Sequence, residues 1–83
     1  MSRVEKLCMR VASSPANTRF EDLVRLAEAV GFVRDRISGS HRFLRHPDYP
    51  REVLNLQAEH GRAKQYQVAQ LLDLIDRLQL RRW

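Results

Sequence analysis

What most restricts the fold of this chain is a change of period in its middle. Up to Gly31, and again from Val68, apolar residues recur at the i, i+3, i+4, i+7 spacing that gathers them on one face of an α-helix. Between Phe32 and Gln57 that spacing is lost. Two clusters of turn residues, Ser38-Gly39-Ser40 and His46-Pro47-Asp48-Tyr49-Pro50, cut the stretch into short segments at about 32–37, 41–46 and 52–57. Segments this short read as strands. A tight connector followed by a wider, proline-bearing one predicts an antiparallel three-strand meander. Leu54 and Leu56 share one face of the third strand, whereas Phe43 and Leu44 point to opposite faces of the second, which leaves its core side open.

The helical stretches frame this meander. Val4, Leu7, Cys8 and Val11 make the stripe of a first helix that Ser13-Ser14-Pro15 ends. Thr18-Arg19-Phe20-Glu21 has the form of a capping box opening a second helix, with Phe20, Leu23, Val24, Ala27 and Val30 as its buried stripe. Gly31 stands where a helix end needs positive φ. Glu59 to Lys64 reads as a polar connector. Val68, Leu71, Leu72, Ile75 and Leu78 then mark a final helix, whose dipole Arg77, Arg81 and Arg82 complement. The order predicts an α+β domain, helices over one sheet face, occupying the whole of residues 1–83. Within it, 1–14 form an added helix and 18–80 the core.

Eighty-three residues give room for a single modest core. Fifteen Lys and Arg against ten Asp and Glu leave a formal charge of +5. The excess concentrates between Arg34 and Lys64, where it suits phosphate backbones or an acidic protein partner, and equally a solvated surface that keeps a small protein soluble; charge alone does not decide between them. Cys8, the lone cysteine, excludes an internal disulfide and fits a small core residue in a reducing compartment. No apolar run reaches the roughly 20 residues of a membrane span and no signal-peptide pattern opens the chain, so a cytoplasmic protein without membrane contact is expected.

One segment carries more than fold information: a helix ending Ala29-Val30-Gly31-Phe32, a basic strand, then Gly39-Ser40-His41-Arg42-Phe43-Leu44-Arg45-His46-Pro47. It resembles the HicA family of toxin–antitoxin toxins over about residues 20–80, and Asn55-Leu56-Gln57 through Lys64-Gln65-Tyr66-Gln67-Val68 is similar to one branch of that family. The resemblance implies a double-stranded-RNA-binding-domain-like fold, a messenger-RNA-cleaving activity, silencing by a HicB-like antitoxin, and a catalytic role for His41. The sequence departs from the pattern in its extra N-terminal helix. It also has Arg42 where many members carry a second consecutive histidine.

Elementary chemistry agrees with that implication. Cutting RNA without a metal requires a proton to leave the ribose 2′-OH, another to reach the leaving oxygen, and charge on the phosphate to be neutralised. A histidine side chain, with an ordinary pKa of about 6.5, suits the proton transfers. Arg36, Arg42, Arg45 and Lys64 are the candidates for phosphate binding, and the same cations would meet the carboxylates of an inhibitor. Gly39 permits a tight turn and close approach of a nucleic-acid backbone, and Ser40 is placed to donate to phosphate or to its own turn.

The remaining candidates read as structural. His46 before Pro47 fits a strand end, and His60 in Glu59-His60-Gly61 an exposed connector. Cys8, His41, His46 and His60 lack the compact spacing of a zinc site, so no metal and no cofactor is expected. Phe43 and Tyr66 are able to stack on bases but fit boundary packing. No function is read into Trp83. A non-catalytic RNA-binding module of the same fold is the main rival. A DNA-binding unit built from the first two helices is weaker, since Ser14-Pro15-Ala16-Asn17 is not a helix-turn-helix turn.

Overall fold

The computed structural model describes residues 2–81 and 83. Its elements run α1 (Arg3–Ser13), a 3-10 turn (Pro15–Asn17), α2 (Phe20–Ala29), β1 (Val33–Ser38), β2 (His41–His46), β3 (Tyr49–Glu59), β4 (Arg62–Ala63) and α3 (Gln65–Arg77). The fold is α+β, with an antiparallel sheet in the order β1-β2-β3-β4. The sheet therefore has four strands where the sequence predicts three. The stretch read as a polar connector turns back on itself: Glu59 pairs with Arg62 across a two-residue loop in which His60 and Gly61 both adopt positive φ, of 53° and 79°. That is the dihedral pattern of a type I′ hairpin. His-Gly is not among the dipeptides that usually announce one.

The second hairpin is also tighter than expected. Tyr49 pairs directly with His46, and the irregularity is absorbed afterwards, where the register jumps so that Arg45 faces Val53. Pro50, Arg51 and Glu52 form the excursion. A proline there loses no ladder bond because the extra residues of a bulge have no partner.

The capping box at Thr18 does not form. The Thr18 hydroxyl donates to the carbonyl of Ser14 at 3.0 Å. The Thr18 carbonyl accepts from Ala63 N–H at 2.9 Å, and Phe20 N–H donates to the Gly61 carbonyl at 3.1 Å. Strand-like pairing with the β3–β4 hairpin satisfies the backbone here, and Arg19 becomes an N-cap without a side-chain bond. At α1 the cap is local, with Ser2 Oγ accepting from Glu5 N–H at 3.0 Å.

The second and third helices both end in Schellman motifs. At α2, Phe32 N–H donates to Ala27 and Gly31 N–H to Glu28; at α3, Leu80 N–H donates to Ile75 and Gln79 N–H to Asp76. Gln79 takes positive φ at 54° in the second case, and buried Leu80 supplies the apolar contact that holds it there. Of the cations assigned to the α3 dipole, Arg77 sits in the last turn and Arg81 bonds Asp76 instead, while Arg82 lies outside the described residues.

A single apolar cluster joins all three helices to one face of the sheet. Leu44, Leu54 and Leu56 supply the sheet's share and are fully buried, which settles the face of β2: even-numbered residues point inward. Odd-numbered His41, Phe43 and Arg45 lie beside Gln57, Asn55 and Val53 on the face that carries no helix. Every buried side-chain nitrogen and oxygen among the described residues has a hydrogen-bond partner.

Candidate nucleic-acid interface

The Gly39–Ser40 turn determines where His41 stands. Ser38 pairs with His41, so the loop is two residues long, and Gly39 alone of the two has positive φ, at 60°, as a type II′ turn requires. A methyl group added at Gly39 would meet no atom within 4 Å, so the turn is glycine for its dihedral and the space above it is open. His41 follows as the first residue of β2, half-buried on the helix-free face.

Its ring is held from two sides. Asn55 Oδ1, across the strand pair, lies 2.9 Å from His41 Nδ1, and the Phe43 ring stacks at 6.3 Å with planes 28° apart. An amide oxygen only accepts, so we assign the hydrogen to Nδ1 and leave Nε2 as the nitrogen with a lone pair. Arg36 reaches over Phe43 with its guanidinium carbon 4.6 Å from the ring centroid. The row Arg36, Phe43, His41 thus puts a cation, an aromatic platform and a base on one surface.

A second chain of contacts approaches from α3. Lys64 Nζ donates to Gln57 Oε1 at 3.0 Å, and Gln57 Nε2 donates to Ser40 Oγ at 3.0 Å. This leaves the Ser40 hydroxyl hydrogen available to an incoming acceptor and places an ammonium at the turn. The strand beneath is clamped by Gln67, which is 3% exposed. Its Oε1 accepts from Gln57 N–H at 3.1 Å while its Nε2 donates to the Asn55 carbonyl at 3.0 Å. One carboxamide thereby replaces a strand neighbour at the edge of β3, fixing the two residues that hold His41 and Ser40.

The expected site residues divide. Gly39, Ser40, His41, Arg36 and Lys64 come together. Arg45 shares the face, but its charge is met by Asp35 at 3.5 Å and the Pro50 carbonyl at 3.3 Å. Arg42 is on the other side of the sheet, packed over Phe20 with its guanidinium carbon 5.2 Å from the ring centroid. Alternation along a strand makes this unavoidable for neighbours of His41, and a second histidine in that place would also point away from it. Asn55, Gln57 and Gln67 were not singled out as site residues from sequence. The only signal for them was their place in the segment similar to one family branch. Nothing in one strand's composition tells which cross-strand partner faces a histidine.

His46 and His60 stand apart. His46 is 4% exposed, with Nε2 3.1 Å from the Val30 carbonyl and Nδ1 accepting from Asp48 N–H at 3.2 Å. His60 is exposed in the β3–β4 turn. No group of three or more metal-ligating side chains occurs among the described residues. No described helix is long and apolar enough to cross a membrane.

Among known families, a model described as "HicA toxin of bacterial toxin-antitoxin" matches residues 20–76, from the start of α2 to the last turn of α3, leaving α1 outside. No curated protein and no solved structure matches significantly.

Proposed function

The chain belongs to the HicA toxin family, and from that premise we propose that it is a metal-independent endoribonuclease that cuts messenger RNA in the cytoplasm, with His41 as the proton-transferring residue. Membership implies a toxin with an antitoxin partner; the reaction and its residues are our reading. The observation that carries it is the histidine on an open, cation-flanked strand face with one ring nitrogen tied to Asn55 and the other without a partner among the described residues. Such a nitrogen is placed to take a proton, which a module that only binds RNA does not require.

In this mechanism His41 Nε2 takes the proton of a ribose 2′-OH, whose oxygen attacks the adjacent phosphorus. The bond from phosphorus to the 5′-oxygen breaks, a 2′,3′-cyclic phosphate forms, and water protonates the leaving oxygen. Arg36 and Lys64 neutralise the charge gathering on the phosphate, with Ser40 donating beside them. Phe43 offers a face for a neighbouring base. Asn55 is a positioning residue. Gly39 keeps the approach clear, and Arg45, already partnered, adds a weaker long-range attraction. We extend the family assignment to the whole of residues 1–83 as one domain, with residues 1–14 an elaboration of the 18–80 core.

The antitoxin is proposed to be HicB-like, acidic where it meets Arg36 and Lys64, and to cover His41. The test is incubation of purified protein with single-stranded RNA in chelator. Cleavage by the wild type but not by His41→Ala is expected, and co-purified antitoxin should suppress it. Tight binding without cleavage would favour the RNA-binding rival, and activity restored only by a divalent metal would overturn the metal-free mechanism.

A further inference from the structure

The proposed reaction leaves Arg42 unused, along with the surface on the helix side of the same sheet end. There a shallow groove of about 580 Å³ runs over Phe20 and the His60–Gly61 turn, with Arg19, Arg42 and Arg62 along it and Glu21 as the carboxylate within it. None of the three arginines is in an ion pair among the described residues, which they share with Arg3, Arg36 and Arg51, whereas Arg10, Arg25, Arg34, Arg45, Arg77 and Arg81 are paired. Two of them are nevertheless held in place. Arg42 lies over the Phe20 ring, and Arg62 Nη1 donates to Asn17 Oδ1 at 3.3 Å. Neutral anchors position a guanidinium without consuming its charge, which is the arrangement an incoming phosphate exploits.

The groove is adjacent to the His41 face by topology. His41 and Arg42 are consecutive residues at the start of β2 and point to opposite sides, and the sheet ends one step away at the Gly39–Ser40 turn. Above Gly39 there is no side chain to obstruct passage. We propose that this groove is a phosphate-binding subsite for single-stranded RNA flanking the cleaved bond, the strand crossing the Gly39–Ser40 turn from one face of the sheet to the other. The inference rests on the RNA-cleavage reading above. It makes Arg42 and Arg62 binding residues for extended substrate and gives Arg42 no contact with the reacting phosphate.

The test uses the full chain and two random-sequence RNA pools, trimers too short to span both faces and dodecamers able to. In the Arg42→Gln, Arg62→Gln double variant, KM for dodecamers should rise about tenfold with kcat unchanged, while trimer cleavage stays as in the wild type. Binding of dodecamers to the His41→Ala protein should show a log–log salt slope shallower by about 0.7 for each phosphate contact removed when the same two substitutions are added. The thermal melt of each variant checks folding, and Arg42→Lys, which keeps the charge, should retain most of the slope.

Unchanged dodecamer KM and salt slope would overturn the subsite, as would an equal loss on trimers. Loss of antitoxin binding alone, with RNA binding intact, would assign the groove to the protein partner and also overturn it. If the wild type cut no RNA, the cleavage reading would fail while the salt slope still decided the subsite.

Discussion

The two ends of strand β2 carry the same residue type and set it in opposite surroundings. His46 is enclosed by the rings of Phe32 and Tyr49, each with its centroid 5.1 Å away. The backbone occupies both its nitrogens, through the Val30 carbonyl and Asp48 N–H. His41 has one nitrogen bonded to a side chain on an exposed face and the other without a partner among the described residues. The difference teaches that residue type and strand position are not enough. Parity along β2 sets the surroundings, because even positions face the helices, where Leu44 and His46 are buried, and odd ones face the side without helices.

The largest effect should come from His41→Ala, which is expected to lower RNA cleavage by about 10²–10⁴-fold, the range typical of a lost acid–base group. Its thermal melt should hardly move. A comparable loss of cleavage in His46→Ala with an unchanged melt would break the contrast between the two histidines.

Next in size is the destabilisation from His46→Ala, about 2–4 kcal/mol by denaturant titration, since it opens a cavity and strands the Val30 carbonyl without a partner. Gly31→Ala should cost about 1–3 kcal/mol for its φ of 109° alone. Its new Cβ would also fall 2.6 Å from His46 Nε2. These two positions share one space, so the double variant should lose less stability than the sum of the singles. Simple additivity would show that the histidine yields easily and is not the tightly held group described.

A finer test addresses orientation at the other end. Asn55→Ala should reduce kcat by about fivefold to tenfold, the worth of one hydrogen bond of roughly 1 kcal/mol. Asn55→Asp keeps an acceptor and adds a negative charge beside the ring, which favours the imidazolium. The acidic limb of the pH–rate profile should therefore move to higher pH. A profile that stays in place would remove Asn55 from the positioning role.

The smallest effect concerns Cys8, which burial pushes above its ordinary 9.0, partly offset by Arg81. The unfolded chain then ionises first as pH rises. The thiol's contribution to stability is whole below about pH 9 and declines as pH climbs towards the folded value. Cys8→Ala should lack this decline, so the gap in stability between it and the wild type should narrow in alkali. A constant gap would mean the thiol is free to ionise in the folded protein.

The sequence by itself determined the helical stripes, the glycine exit of α2, the first hairpin at Gly39–Ser40, and the basic character around His41. These depend on local periodicity and on dihedral demands that a few neighbouring residues satisfy. The tertiary structure decided what depends on partners distant in the chain. Thr18 abandoned its capping box because Ala63 and Gly61 offered backbone bonds, and β4 emerged in the same exchange. Asn55 became the partner of His41, and Gln67 the clamp on β3, only once register had set them face to face. Arg42 left the His41 side because a strand turns each successive side chain to the opposite face. Local signals fix the conformation of a segment, but which side chains meet is settled by pairing and burial, whose energies belong to contacts between segments.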